Sequence, residues 1–303
     1  MSHLSWPEAG VIGALQGVSE LFPISSLGHS VLLPAWIGGS WARDLNVSSP
    51  ESPYLAFIVG LHVATAIALL VYFWRDWVRL IRGFVTSIVR REIRTSDQRL
   101  AWLLVLATIP VGLVGLLAEH WVRTNLAKPV ATSWFLLANG VILLLAEYLR
   151  QSTGNHTAND ESYVDERVSG PASDERLSQI PVRAAVLMGS TQILALGPGI
   201  SRSGVTMVAG LVRGLSREDA ARFAFLLATP VILAAGALKL PDLSGHLGDG
   251  IRGQVLFGSV LSGIGAYLAV RFLTRYLDRR SLRPFGVYCM IAGFVSMLRF
   301  TIG

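Results

Sequence analysis

Two short stretches concentrate the side chains able to do polar chemistry. In "LQGVSELFPISSLGH", Gln16 and Glu20 lie four apart and share one helix face, and Pro23 stops that helix ahead of Ser25, Ser26 and His29. A carboxylate, two hydroxyls and an imidazole around one turn are the parts of an activated nucleophile, in which a hydroxyl attacks while a base takes its proton. In "PGISRSGVT", Gly199 and Gly204 frame Ser201, Arg202 and Ser203, with Thr206 just beyond. Such a turn aims backbone N–H groups and hydroxyls at one point, and the planar arginine fork suits phosphate oxygens. The Walker lysine and its spacing are missing, so the turn is not a nucleotide P-loop. An anion beside Glu20 calls for a counter-ion. A divalent cation held by Glu20 and the Gln16 carbonyl oxygen would reconcile the two charges.

Both stretches sit in apolar surroundings. The chain has 303 residues, 52% of them hydrophobic and only 15% charged, which marks an integral membrane protein. Six windows of about 20 residues are nearly free of charge and long enough to cross a bilayer as helix. They run 54–74, 100–122, 129–149, 222–240, 253–273 and 284–302. Two further apolar stretches, 7–38 and 182–215, are interrupted by Pro, Gly, Ser and ionisable residues and read as broken or re-entrant helical hairpins. A lone serine in a membrane helix serves packing or bonds its own backbone. Glu20 and Arg202 are different: a charge at mid-membrane costs about 2.5–3.5 kcal/mol on insertion scales, so the pair needs a shared polar purpose.

Other features narrow the class. The net charge of +6 comes from arginines clustered beside spans, as the positive-inside rule expects, and not from a nucleic-acid surface. The single cysteine, Cys289, lies within the last window and offers neither a disulfide framework nor a thiolate metal site. No Lys or Arg precedes the first apolar run and no small-x-small cleavage site follows it, so no removable leader is expected. Seven arginines between 75 and 99 and five between 271 and 283 place both segments, read as loops, in the cytoplasm. The segments 150–183 and 211–222 then fall inside, and 39–53 and 241–250 outside. Arg123 and Lys128 dissent mildly.

This map makes the first broken element enter from outside and the second from inside. The sequences "GALQGVSELFPISSLGH" from Gly13 and "GSTQILALGPGISRSGV" from Gly189 align without a gap, with Gly13 on Gly189, Gln16 on Gln192, Ile24 on Ile200, Ser25 on Ser201 and Gly28 on Gly204. The expected fold is therefore an all-α integral membrane protein with an inverted-topology repeat. Its six full spans and two broken hairpins meet at the bilayer midplane, where irregular backbone survives by lining a polar cavity. Residues 1–149 form the first repeat, 150–181 a polar cytoplasmic linker and 182–303 the second repeat, all within one membrane domain. Leu196 stands where Glu20 would be in the second half, which argues for one site. His62 and Asn139 read as interhelical hydrogen-bond partners, and Glu119, His120, Trp121 and Glu147 as interfacial anchors.

The two motifs resemble the signatures of the undecaprenyl pyrophosphate phosphatase family, the bacterial membrane enzymes associated with bacitracin resistance. In that family the first is Glu or Gln, three residues, Glu, then a proline and Ser-Ser-x-Gly-His, and the second is Pro-Gly-x-Ser-Arg-Ser-x-x-Thr. Both match at their defining positions, although Leu27 replaces a common threonine and the linker is long. The resemblance implies hydrolysis of the terminal phosphate of a C55 isoprenyl pyrophosphate to give the carrier lipid of peptidoglycan synthesis. It also implies a multi-pass protein of the bacterial inner membrane and a divalent cation, Mg2+ or Ca2+, on Glu20 and Gln16. Catalysis is assigned to Glu20, Ser26, His29 and Arg202. Substrate binding is assigned to Gln16, Ser25, Gly199, Ser201, Ser203, Gly204 and Thr206. Ser26 is the candidate nucleophile, with Ser25 or a directly attacking water as alternatives, and either Glu20 or His29 takes the proton.

The rival class is a secondary transporter or flippase for an isoprenyl phosphate or another anion, since broken inverted repeats are a transporter architecture. A transporter needs the anion site but no nucleophile beside a base. Partners are the isoprenyl pyrophosphate lipid and membrane lipid, with no nucleic acid. A homodimer is compatible with the sequence. The cavity is expected to open to the periplasmic side.

Overall fold

A computed structural model describes residues 4–47, 53–152, 170–244 and 250–302, which are helices and connecting turns without a strand. Residues 48–52 and 245–249, within the segments expected to lie outside, and residues 153–169 of the expected linker lie outside the described residues. Helix α1 (Trp6–Leu21) begins on a capping box in which Ser5 accepts from the Glu8 N–H and Glu8 accepts from the Ser5 N–H. It ends just before Pro23. Helix α2 (Ser26–Ile37) and the short α3 (Gly39–Asp44) follow. Each of the six expected windows falls on a helix: α4 (Pro53–Tyr72), α6 (Ser96–Leu126), α7 (Pro129–Ser152), α11 (Arg217–Ser244), α12 (Arg252–Arg279) and α13 (Arg283–Ile302).

Five of these helices are long and apolar enough to cross a membrane by themselves. The sixth passes only together with α5 (Trp74–Arg90), which is bent 88° away from α4. The arginine-rich stretch read as a loop is thus largely helix. Its arginines alternate with Val78, Ile81, Val85 and Ile88, which are exposed, so α5 has one charged and one apolar face. Outward-facing Leu113, Leu116 and Leu117 of α6, Ile264 and Leu268 of α12, and Ile291 and Phe294 of α13 give the molecule an apolar exterior, as a bilayer solvent requires.

Small residues bring the helices close. A Cβ on Gly13 of α1 would lie 2.5 Å from the Gly258 carbonyl oxygen of α12, and one on Gly189 of α9 (Val182–Ser190) would lie 2.1 Å from the Ala107 carbonyl oxygen of α6. The neighbours follow one pattern: α1 packs on α12 and α9 on α6, α4 packs on α12 and α11 on α6, while α7 pairs with α13 and α4 with α11.

Two sequence readings need correcting here. The end of the polar linker forms helix α8 (Gly170–Ser178), docked by charge. Buried Asp174 accepts from Arg222 at 2.8 and 3.0 Å and from Arg79 at 2.6 Å, while Arg176 clasps Asp219 at 2.7 and 2.8 Å. These bonds hold the Arg176 guanidinium above its ordinary pKa. Glu147 is no interfacial anchor either. It is fully buried, accepts from Arg217 at 3.0 and 2.8 Å and caps the Leu282 N–H at 2.9 Å. Arg123, which dissents from the expected charge map, pairs with Glu119 at 3.1 Å and donates to the Val47 carbonyl at 3.1 Å, so it fastens the segment after α3.

Candidate active site

The second broken element consists of α9, a 3-10 turn (Thr191–Leu196) and α10 (Arg202–Val212). Its break, 197–201, meets the break between α1 and α2. Ser25 caps α2 by accepting from the Gly28 N–H, and Ser201 caps α10 by accepting from the Gly204 N–H, so the two aligned serines do the same work. A Cβ on Gly28 would lie 2.9 Å from the Gly199 Cα, and one on Gly204 would lie 3.3 Å from the Pro23 Cβ. The breaks are also stitched. Gly199 N–H donates to Ser25 Oγ at 3.2 Å, and the hydroxyls of Ser201 and Ser203 reach the Phe22 carbonyl at 3.5 and 3.4 Å. Phe22 is held by stacking on Phe272 and edge contact with Phe285.

Asn139 of α7 pins both breaks at once. Its Nδ2 donates to the Pro23 carbonyl at 3.0 Å and its Oδ1 accepts from the Ser201 N–H at 2.9 Å. Buried carbonyl and amide groups that Pro23 and the 3-10 turn free from helical bonding are satisfied in this way.

Glu20 is the hub. Its Oε1 lies 2.5 Å from Nη2 of Arg202, and its Oε2 accepts from Gln16 Nε2 at 2.8 Å and from the hydroxyl of Ser26. Arg202 also donates to the Ala228 carbonyl at 3.1 Å. A hydroxyl, a carboxylate and a guanidinium are therefore within one hydrogen-bonded group, although two come from one break and the third from the other. Ser26 and Arg202 are aligned positions of the two halves, and both donate to the one carboxylate that only the first half carries. Gln16 Oε1 is buried without a hydrogen-bond partner.

Ser25, immediately before Ser26, adopts φ 68° and ψ 99°, a left-handed conformation that costs a non-glycine residue about 1–3 kcal/mol and clusters at functional sites.

The chain matches the family described as "Bacitracin resistance protein BacA" over residues 9–295. It belongs to that family. It is 61% identical over 300 residues to an undecaprenyl-diphosphatase of Mycolicibacterium paratuberculosis (strain ATCC BAA-968 / K-10), covering 98% of each chain. It is 49% identical to undecaprenyl-diphosphatase 1 of Frankia casuarinae, covering all of both chains, and 43% identical to undecaprenyl-diphosphatase 2 of Chromobacterium violaceum, covering 96% of this chain and 97% of the relative.

Against the BacA motifs, the structure distributes the sequence-derived residues unevenly. Gln16, Glu20, Ser26 and Arg202 are together. His29 faces elsewhere: its Nδ1 is 2.7 Å from the Ser25 carbonyl and its Nε2 is 2.6 Å from the Tyr288 hydroxyl, so neither ring nitrogen hydrogen-bonds Ser26 or Glu20. The glycine-turn groups expected to face an anion are engaged in stitching. The N–H groups of Gly199, Ser201 and Gly204 have protein acceptors, and Thr206 Oγ1 donates to the Arg202 carbonyl of its own helix. Gln192, aligned with Gln16, donates to the Gly189 carbonyl at 3.2 Å. The residue that sequence reasoning set aside is His62 of α4, whose Nε2 is 3.2 Å from Glu20 Oε2. No spacing pattern ties it to either motif.

Proposed function

We propose that the chain is an undecaprenyl-diphosphatase, hydrolysing undecaprenyl diphosphate to undecaprenyl phosphate and inorganic phosphate in the membrane. The carrying observation is the contact of Ser26, Glu20 and Arg202. The family membership and the names of relatives up to 61% identical supply the substrate.

Ser26 Oγ attacks the terminal phosphorus while its proton passes to Glu20 Oε2, with which it is already hydrogen-bonded. The new Oγ–P bond forms as the bridging P–O bond breaks, and undecaprenyl phosphate departs. Water then attacks the phosphoserine, giving up a proton to regenerate the Ser26 hydroxyl and release phosphate. Arg202 uses two N–H groups on Glu20 and Ala228, which leaves three of its five for the transferring phosphoryl oxygens, where charge builds. The N-termini of α2 and α10 both begin at the meeting point and add their positive dipole ends. With Glu20 as the base for Ser26, His29, whose Nε2 lies 2.6 Å from the Tyr288 hydroxyl, is left to protonate a leaving oxygen.

A divalent cation fits as a partner of the diphosphate. Among the described residues no three His, Cys, Asp or Glu cluster for a metal, but the unpartnered Gln16 Oε1 and Glu20 offer two oxygens, and Mg2+ commonly completes its shell with water and substrate phosphate. When bound, it would neutralise diphosphate charge.

The inverted repeat is supported by the matched caps of Ser25 and Ser201 and by the exchange of packing partners between halves. With α4 as the sixth span, the charge pattern favours an inner-membrane orientation with the α5 and α8 arginines in the cytoplasm and the Glu20 site open to the periplasm.

Purified protein in detergent given undecaprenyl diphosphate should release inorganic phosphate, and Arg202→Ala should abolish release while the protein stays folded. Binding or movement of the lipid without phosphate release would favour a carrier instead.

A further inference from the structure

Glu20 carries the proposed proton transfer, yet most of its neighbours have other duties. Ser26 is the reactant, Arg202 must turn donors to the phosphoryl group, and Gln16 stands one turn away on the same helix with its own oxygen free for a ligand. His62 is different. It reaches Glu20 from α4, a fourth helix beside α1, α2 and α10, and its other ring nitrogen, Nδ1, is anchored 2.8 Å from the Ile58 carbonyl oxygen. A carbonyl only accepts, so Nδ1 carries N–H; Nε2 donates to the carboxylate as well only in the protonated ring, so it is the imidazolium that is held between helix backbone and carboxylate.

We propose that His62 is a positioning residue for the phosphatase reaction, holding Glu20 Oε2 toward the Ser26 hydroxyl while Arg202 and Gln16 engage the diphosphate. This rests on the undecaprenyl-diphosphatase reading above. A carboxylate fixed by a side chain with no role in the chemistry keeps its geometry as Ser26 becomes phosphorylated and Arg202 shifts; without it, Glu20 would be free to swing to its nearest cation. Supporting partners of this kind typically matter by about 10–100-fold.

The test is steady-state phosphate release from undecaprenyl diphosphate by detergent-purified wild type and by His62→Gln, His62→Asn and His62→Leu, with thermal unfolding measured on each. A Gln amide nitrogen superimposes on His Nε2 and reaches Glu20, whereas an Asn amide nitrogen superimposes on Nδ1 and reaches only Ile58. The expected result is that His62→Gln keeps kcat within about 5-fold of wild type, while His62→Asn and His62→Leu lose about 10–100-fold in kcat with KM changed less than about 3-fold. Equal kcat for His62→Gln and His62→Asn overturns the proposal, and that pair decides the matter even if His62→Leu does not fold. A rise in KM at unchanged kcat overturns it as well, because it would place His62 in substrate binding. Wild type that releases no phosphate overturns the phosphatase reading and this inference with it; an active wild type beside indifferent His62 variants overturns the inference alone.

Discussion

Arg202 Nη2 lies 2.5 Å from Glu20 Oε1, although 182 positions separate the two residues in the chain. Neither charge is tolerable alone at this depth in an apolar molecule, and removing one partner of a buried pair costs about 3–5 kcal/mol. Arg202→Lys keeps the charge but not the fork that spans Glu20 and the Ala228 carbonyl. Phosphate release by Arg202→Lys should fall at least about 10-fold in kcat while its thermal unfolding midpoint stays nearer to wild type than that of Arg202→Ala.

The two adjacent serines should separate by readout. Ser26 hydrogen-bonds the base, whereas Ser25 Oγ accepts from the Gly28 and Gly199 amides. Ser26→Ala should lower kcat by about 1,000-fold or more with little change in unfolding, consistent with loss of a nucleophile. Ser25→Ala should instead lower stability by about 1–2 kcal/mol through the lost cap and the orphaned amide. Thermal unfolding and phosphate release on the same preparations distinguish the two.

Asn139 offers a purely architectural test. Replacing it with Leu leaves the Pro23 carbonyl and the Ser201 N–H without their partner, at about 1–3 kcal/mol for each buried orphan. The unfolding midpoint should drop, and activity should drop with it because both breaks lose their common pin. An Asn139→Leu protein as stable and active as wild type would show that the breaks are held by other means.

Gly13 and Gly189 make matching close approaches to α12 and α6. Ala at either position puts a Cβ 2.5 Å or 2.1 Å from a backbone oxygen, so each helix must move. Both variants should be destabilised by an amount comparable with each other. Gly112→Ala, where no atom lies within 4 Å of the new Cβ, should be neutral or stabilising. Thermal unfolding of the three in detergent is the comparison.

Much of this arrangement was legible in the sequence, and the parts that were not have physical reasons. The Gln16 and Glu20 spacing, the Pro23 stop and the glycine-framed arginine identify both breaks, because each is a local rule of helix geometry. Helix α5 was hidden because seven arginines in 25 residues look like a cytoplasmic loop unless the apolar positions between them are placed on a helix. Helix α8 was hidden because its order comes from Arg79, Arg222 and Asp219 in distant elements, not from its own composition. His62 reads in sequence as an interhelical partner, and it does reach another helix; that the group it meets there is Glu20 is not legible, since one histidine in an apolar helix looks the same whether it faces a carboxylate or any other acceptor. For His29 the motif leaves the choice between base and acid open, and only the fold reveals Tyr288 as its partner.

The most direct measurement is a double-mutant cycle on phosphate release from undecaprenyl diphosphate, using Glu20→Gln, Arg202→Ala and the pair, with long incubations to read residual rates. Groups that act as one unit are strongly non-additive. If the two breaks form one catalytic centre, each single variant loses most of the activity and the double variant is no slower than the slower single. Multiplicative losses, or a single variant with wild-type turnover, would contradict a centre shared between them.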